Sequence, residues 1–261
     1  MGMTTVRTAD GTSLHAEETG AGDPLILLPG QGSSHLMWGR TIGLLAARHR
    51  VVLFDYRGTG ASEMPAAGYS TRGFAGDAVA VLDALGIGRA HVYGFSMGGR
   101  VAQWVAVDHP DRVGALVLGA TTPGDAHGVP RPEHVNERLG AGGDLTEFLH
   151  NPAWARARLR TEGVCNDWRV GTRPVAALRH YRASQAHDSW DGLPSITAPT
   201  LCVHGTEDVL NVVANSDLLA GRIPDARVHR IPGAQHGYFE EQEQEAARVV
   251  LDFLAEHPIT G

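Results

Sequence analysis

At 261 residues the chain is long enough for one domain with a sizeable core, and its net charge of −7, with no basic run to offset it, argues against a nucleic-acid or anionic-membrane partner. Two cysteines, Cys165 and Cys202, cannot build a disulfide framework and lack metal-ligand spacing; both are expected as small buried apolar groups in a cytoplasmic protein. Neither an apolar leader core nor an apolar run of about 18 residues is present, so secretion and membrane insertion are not expected.

Residues 4–8 and 12–18 read as an antiparallel hairpin around the turn dipeptide Asp10-Gly11. A strand near 24–29, a helix over 36–48, a strand over 51–55, a helix over 71–86, a strand over 91–95, a helix over 97–109 and a strand over 113–119 follow. Within 71–86, Phe74, Ala78, Val81, Leu82 and Leu85 recur at helical spacing, with Asp77 and Asp83 outside the stripe. Alternating strands and helices imply a mostly parallel sheet covered by helices on both faces.

From about 123 to 192 this rhythm breaks. Pro123, Pro130, Pro132, Pro152 and Pro174 separate helical-looking pieces with no convincing strand, and Trp154, Trp168 and Trp190 fall among them. The predicted organisation is therefore an α/β core of residues 1–122 and 193–261 interrupted by a helical cap, 123–192. An enclosed, mainly apolar site under that cap follows, with Trp154, Trp168, Trp190 and Trp38 as candidate walls. The core resumes with strands at 199–205 and Val228–Ile231 and closes on a helix over 238–256. Glu240, Glu241, Glu243 and Glu245 crowd the start of that helix, where solvation and the helix dipole account for them.

Chemistry concentrates at three loops. Gly94-Phe95-Ser96-Met97-Gly98 lies between a strand and a helix, the setting in which G-x-S-x-G makes a sharp turn and exposes a nucleophilic hydroxyl. A serine needs a base, and the base an orienting acid, in the chain order serine, acid, histidine. Asp208 follows the 199–205 strand; His236 follows Val228–Ile231 in Pro232-Gly233-Ala234-Gln235-His236-Gly237. All three fall past the carboxyl ends of strands, where open α/β sheets place their sites. Glu207 is the neighbour of Asp208, but one residue's displacement turns its side chain away. Of the other histidines, His91 starts a strand at the wrong edge and His15 lies in the hairpin. His35, His180 and His204 fall in helices, strand interiors or the middle segment, where packing explains them.

With these residues in view the sequence resembles the α/β-hydrolase superfamily, in its small esterase, lactonase and haloperoxidase-like branch. The resemblance rests on Leu25-Ile26-Leu27-Leu28-Pro29-Gly30-Gln31-Gly32, on Phe54-Asp55-Tyr56-Arg57-Gly58-Thr59-Gly60-Ala61-Ser62, on the Ser96 turn and on the Asp208 and His236 loops. It implies an oxyanion hole made by the backbone N–H groups of Gln31 and Met97. Pro29-Gly30 stands where the family more often has His-Gly, a change that spares the Gln31 N–H. Serine at position 96, in place of the aspartate of the similar haloalkane dehalogenases, disfavours halide displacement.

Gly30-x-Gly32 and Asp55 also suggest a dinucleotide fold, but His35 stands where a third glycine is needed. Asp55 and Arg57 are better read as a loop ion pair or turn contacts. The sequence thus predicts a serine hydrolase, without cofactor or metal, acting on a small-to-medium apolar ester or lactone. Thioesters, C–C bonds, acyl transfer to another acceptor and non-catalytic ligand binding stay open on the same residues.

Overall fold

The computed structural model describes residues 2–140, 146–162, 168 and 171–259. The chain opens with β1 (Gly2–Arg7) and β2 (Ser13–Thr19), paired antiparallel with Val6 opposite Leu14, as the hairpin reading predicts. Next come β3 (Pro24–Leu28), α1 (Thr41–Ala46), β4 (Arg50–Phe54), α2 (Thr71–Ala84), β5 (Ala90–Phe95), α3 (Met97–Asp108) and β6 (Val113–Gly119). α2 starts where the Ser70 hydroxyl accepts from the Gly73 N–H at 2.9 Å, satisfying one of the donors that a helix start leaves free.

Between β6 and the next strand lie α4 (Glu133–Gly140), α5 (Thr146–Leu149), α6 (Pro152–Glu162) and α7 (Pro174–Gln185). Among the described residues of this segment the one β contact is an isolated bridge between Gly124 and Asp188. The core resumes with β7 (Thr200–Gly205), α8 (Ala214–Arg222), β8 (Ala226–Ile231), α9 (Tyr238–Glu241) and α10 (Glu243–Ala255). Cys165 lies outside the described residues. Among them no helix is long and apolar enough to cross a membrane.

The eight strands form one sheet in the order β1-β2-β4-β3-β5-β6-β7-β8. β2 meets β4 antiparallel, and every pair from β4 to β8 is parallel. After β3 the chain runs outward to β4, then returns to lay β5 on β3's other side. The strand order reverses there, and open α/β sheets leave a crevice at such a point.

β3 to β7 are buried on both faces, because successive side chains point to opposite sides and helices cover both. Ile26, Leu28, Val52, Phe54, Val92, Leu116 and Cys202 pack with Phe74 of α2, Val101 of α3 and Leu219 of α8. Leu25, Leu27, Val51, Leu53, Tyr93, Phe95 and Val203 pack with Leu45 of α1 and Val249 and Phe253 of α10. Each such side chain contributes about 1.5–3 kcal/mol relative to exposure.

Two predicted helices are divided. Gly39, at φ +45°, separates a 3-10 turn over His35–Trp38 from α1, and a non-helical Gln242, at φ −128° and ψ +55°, separates α9 from α10. The first break fixes Trp38 in the second core, with ring centroids 4.9 Å from Tyr93 and 5.2 Å from Phe239. Its side chain is fully buried and packs as part of the second core.

Candidate active site

Ser96 occupies the turn between β5 and α3 at φ +56° and ψ −117°, a conformation that costs an ordinary residue about 1–3 kcal/mol. Neighbours hold it there. Its N–H donates to the Gly119 carbonyl at 2.8 Å, and its own carbonyl accepts from the Thr121 hydroxyl at 2.7 Å. A Cβ on Gly98 would collide with the Leu28 carbonyl oxygen, and one on Gly94 with the Gly98 carbonyl oxygen. The glycines of the motif are what let the first turn of α3 sit directly on β3 and β5.

The Ser96 hydroxyl donates to His236 Nε2 at 3.0 Å, and His236 Nδ1–H donates to Asp208 Oδ2 at 2.7 Å. His236 and Asp208 are buried. Asp208 Oδ1 accepts from the N–H groups of Leu210 at 2.8 Å and Asn211 at 3.0 Å. Burial alone would raise this carboxyl's pKa, but the His236 charge and the hydrogen bonds from His204 and His236 outweigh it and hold Asp208 well below the usual carboxylate range. It therefore faces His236 as an anion. Glu207, one residue earlier, is exposed.

A second imidazole on that carboxylate was not foreseen. His204, near the end of β7 and fully buried, turns Nε2 toward Asp208 Oδ2 at 3.0 Å and toward the Asn211 carbonyl oxygen. Both are acceptors, so Nε2 carries the proton, and Nδ1 accepts from the Ser216 hydroxyl at 2.8 Å. Its signal was its place: a histidine next to last in a strand points at the same sheet edge as the loops that follow.

Gln31 lies just beyond β3 and Met97 opens α3. Their strands are adjacent, with Leu28 opposite Gly94. The N–H groups flanking Gln31 are engaged, Gly30 N–H with Met37 Sδ at 3.0 Å and Gly32 N–H with His180 Nδ1 at 3.3 Å. Among the described residues neither the Gln31 nor the Met97 N–H has a protein acceptor. For Met97 this follows from helix geometry, since the first turn leaves its donors without helical partners.

His180, on α7, is also more than packing. Its Nε2–H donates to the Arg57 carbonyl at 2.9 Å while Nδ1 takes the Gly32 N–H, so a neutral ring ties the inserted helices to the loop after β3. Burial pushes its pKa down to about 4.

The inserted helices grip the His236 loop as well. Gly237 N–H donates to the Leu149 carbonyl at 2.6 Å, and Asn151 N–H to Glu241 Oε1 at 2.8 Å. Glu240 Oε2 accepts from His150 Nε2 at 2.6 Å and from the Trp168 indole N–H at 3.0 Å. This corrects the expectation for Glu240 and Glu241: they are fasteners to the inserted segment, Glu240 being buried, rather than a solvated helix start.

The tryptophans divide. Trp168 packs edge-on against Phe95 at 5.6 Å, and Phe95 in turn lies 4.9 Å from the His236 ring. Trp154 stacks on His150 at 4.7 Å. Trp190 stacks on His127 at 4.9 Å and carries the Arg222 guanidinium at 4.3 Å. Asp55 and Arg57 make turn contacts but not with each other: Asp55 accepts from Ala61 N–H at 2.9 Å, and Arg57 pairs with Asp77 at 2.5 Å and Asp10 at 2.8 Å. Burial pushes the Cys202 thiol up to about 12, which leaves it inert.

The family model of the α/β-hydrolase fold matches residues 23–243. The chain belongs to the α/β-hydrolase family. Among curated α/β-hydrolase relatives, RutD of Variovorax paradoxus (strain S110), named for carbamate hydrolysis, is 34% identical over 93% of this chain and 96% of its own. The 2-hydroxymuconate semialdehyde hydrolase of Pseudomonas sp. (strain CF600) is 33% identical over 94% of this chain and 90% of its own. Est816, a solved N-acyl homoserine lactone degrading enzyme, superposes with a TM-score of 0.84 at 32% identity, covering 96% of this chain and 100% of that one. The enol-lactonase of Burkholderia xenovorans LB400 superposes at 0.85 with 26% identity, over 97% and 100%.

Proposed function

We propose that this α/β hydrolase is a serine esterase or lactonase, cleaving a small-to-medium, mostly apolar carboxylic ester or lactone through an acyl-enzyme. The observation that carries the reading is the continuous chain of hydrogen bonds Ser96–His236–Asp208, with hydroxyl, imidazole and carboxylate in donor-to-acceptor order. Est816 and the enol-lactonase, both named for lactones, support the substrate class.

In this reading Ser96 Oγ attacks the carbonyl carbon as His236 Nε2 takes its proton. Asp208 keeps Nδ1 protonated and stabilises the imidazolium, and His204 and the two loop N–H groups keep Asp208 ionised and in place. The N–H groups of Gln31 and Met97 receive the oxyanion, each worth about 3–4 kcal/mol in the transition state. His236 returns the proton to the departing alkoxide, then activates a water that releases the acid. Every step uses the chain's own groups and water. Segment 123–192 serves as the cap, with Trp168, against Phe95, as the wall nearest the base.

A carbamate is the second reading, favoured by the likeness to RutD, since attack on its carbonyl asks the same of the site. The test is a panel of p-nitrophenyl esters, lactones, thioesters and carbamates on wild type and Ser96→Ala. Turnover by wild type alone, fastest on esters or lactones, with fluorophosphonate labelling lost in Ser96→Ala, supports the proposal. Labelling that persists at another serine overturns it.

A further inference from the structure

Ser96 is not alone in its strained backbone. Among the described residues the non-glycines at positive φ are Ser96, at +56°, and Ala120, at +44°. Ala120 follows β6 and offers no group that the acyl-transfer steps use. Such a conformation persists only where neighbours over-determine it. Two hydrogen bonds hold Ala120: its N–H donates to the Val203 carbonyl at 2.9 Å, and its carbonyl accepts from the Asn211 side-chain amide at 2.7 Å. Ala120, Thr121 and Asn211 are all buried.

The residues on either side of Ala120 grip Ser96. The Gly119 carbonyl takes its N–H at 2.8 Å, and the Thr121 hydroxyl donates to its carbonyl at 2.7 Å. Both backbone polar groups of the serine therefore end on the turn 119–121. Asn211 is as fully engaged with the Asp208 loop. Its N–H donates to Asp208 Oδ1 at 3.0 Å, and its carbonyl accepts from His204 Nε2. The loop of Asp208 and the turn of Ser96 are thereby joined by a route that does not pass through His236. An aliphatic side chain of similar size at position 211 would leave the Ala120 carbonyl buried without a donor, which costs more than the hydrogen bond itself.

We infer that Asn211 is a positioning residue. By holding Ala120 at positive φ it keeps Gly119 and Thr121 on Ser96, and so sets the Ser96 hydroxyl and Asp208 at the spacing that His236 bridges. The inference rests on the hydrolase reading of that site. It gives the turn after β6 a task, as a splint with no reacting group of its own.

The test compares Asn211→Leu with wild type in ester turnover. In parallel, the His236–Asp208 hydrogen bond is followed by the low-field NMR signal of the Nδ1 proton, assigned by its absence in His236→Gln. For Asn211→Leu, kcat is expected to fall at least about tenfold with KM within about twofold of wild type. The low-field signal shifts or is lost to exchange. Ala120→Gly, added to Asn211→Leu, raises kcat again by at least about threefold, because glycine keeps φ +44° unaided. Asn211→Ala is read in the same way should the leucine variant not fold. A kcat within about twofold of wild type, a rise in KM as the main effect, an unmoved signal, or a double variant no faster than Asn211→Leu would each overturn the inference. Absence of ester turnover in wild type would instead remove the hydrolase reading, and the low-field signal of Asn211→Leu would still decide this one.

Discussion

Acid should loosen this protein through His180. The native ring stays neutral to about pH 4 because burial opposes its charge, whereas in the unfolded chain it titrates near 6.5. Between those values the unfolded chain binds the extra proton, so stability rises with pH there, is complete above about 6.5 and is lost as pH falls toward 4. The gap of roughly two and a half pH units amounts to about 3 kcal/mol for a ring with no exposed surface. Protonation also removes the Nδ1 lone pair that takes the Gly32 N–H, so the loss is localised where α7 meets the loop after β3. Other buried histidines, His91 and His187, shift in the same direction and contribute their own acid sensitivity. The comparison therefore needs a variant. Urea unfolding of wild type and His180→Gln at pH 7.5, 6, 5 and 4.5 should show the wild-type advantage shrinking by about 2–3 kcal/mol across the series. If the two chains lose stability with acid in parallel, His180 is not the titrating group and the argument fails.

Three further outcomes follow from the site and core. Ser96→Gly should lower turnover by at least about 10³-fold while raising the unfolding free energy by about 1 kcal/mol, because glycine holds φ +56° without strain; urea melts check the gain. His204→Gln should cut kcat by about ten- to a hundredfold with KM little changed, since one charge-assisted hydrogen bond to Asp208 is weakened; a fall in KM-dependent binding alone would contradict a positioning role. Trp38→Ala should cost about 3–5 kcal/mol of stability and leave KM unaltered across acyl chain lengths, as fits a core ring rather than a pocket wall.

Much of the fold was legible because its signals are local. The alternation of apolar strands and striped helices requires no knowledge of distant contacts, and the G-x-S-x-G turn declares its own neighbours. The loops bearing Asp208 and His236 could be placed at one edge from strand direction alone. What was hidden depends on partners far along the chain. Glu240 looks like any acidic helix start until His150 and Trp168 are brought against it, and His204 looks like strand filling until Asp208 folds back four residues later. Gly39 hid a break because a lone glycine inside an apolar helical pattern is ordinarily tolerated, whereas here it reverses the backbone and sends Trp38 inward.

The attachment of the inserted helices to Gly237, Glu240 and Glu241 bears on how this hydrolase could be re-tailored. Helices clasped to the very stretch that carries His236 cannot be exchanged for a relative's as an independent part. Grafting another selectivity onto this scaffold would have to carry Leu149–Asn151 and Trp168 along with it, or the newcomer would recognise its substrate and leave His236 out of aim.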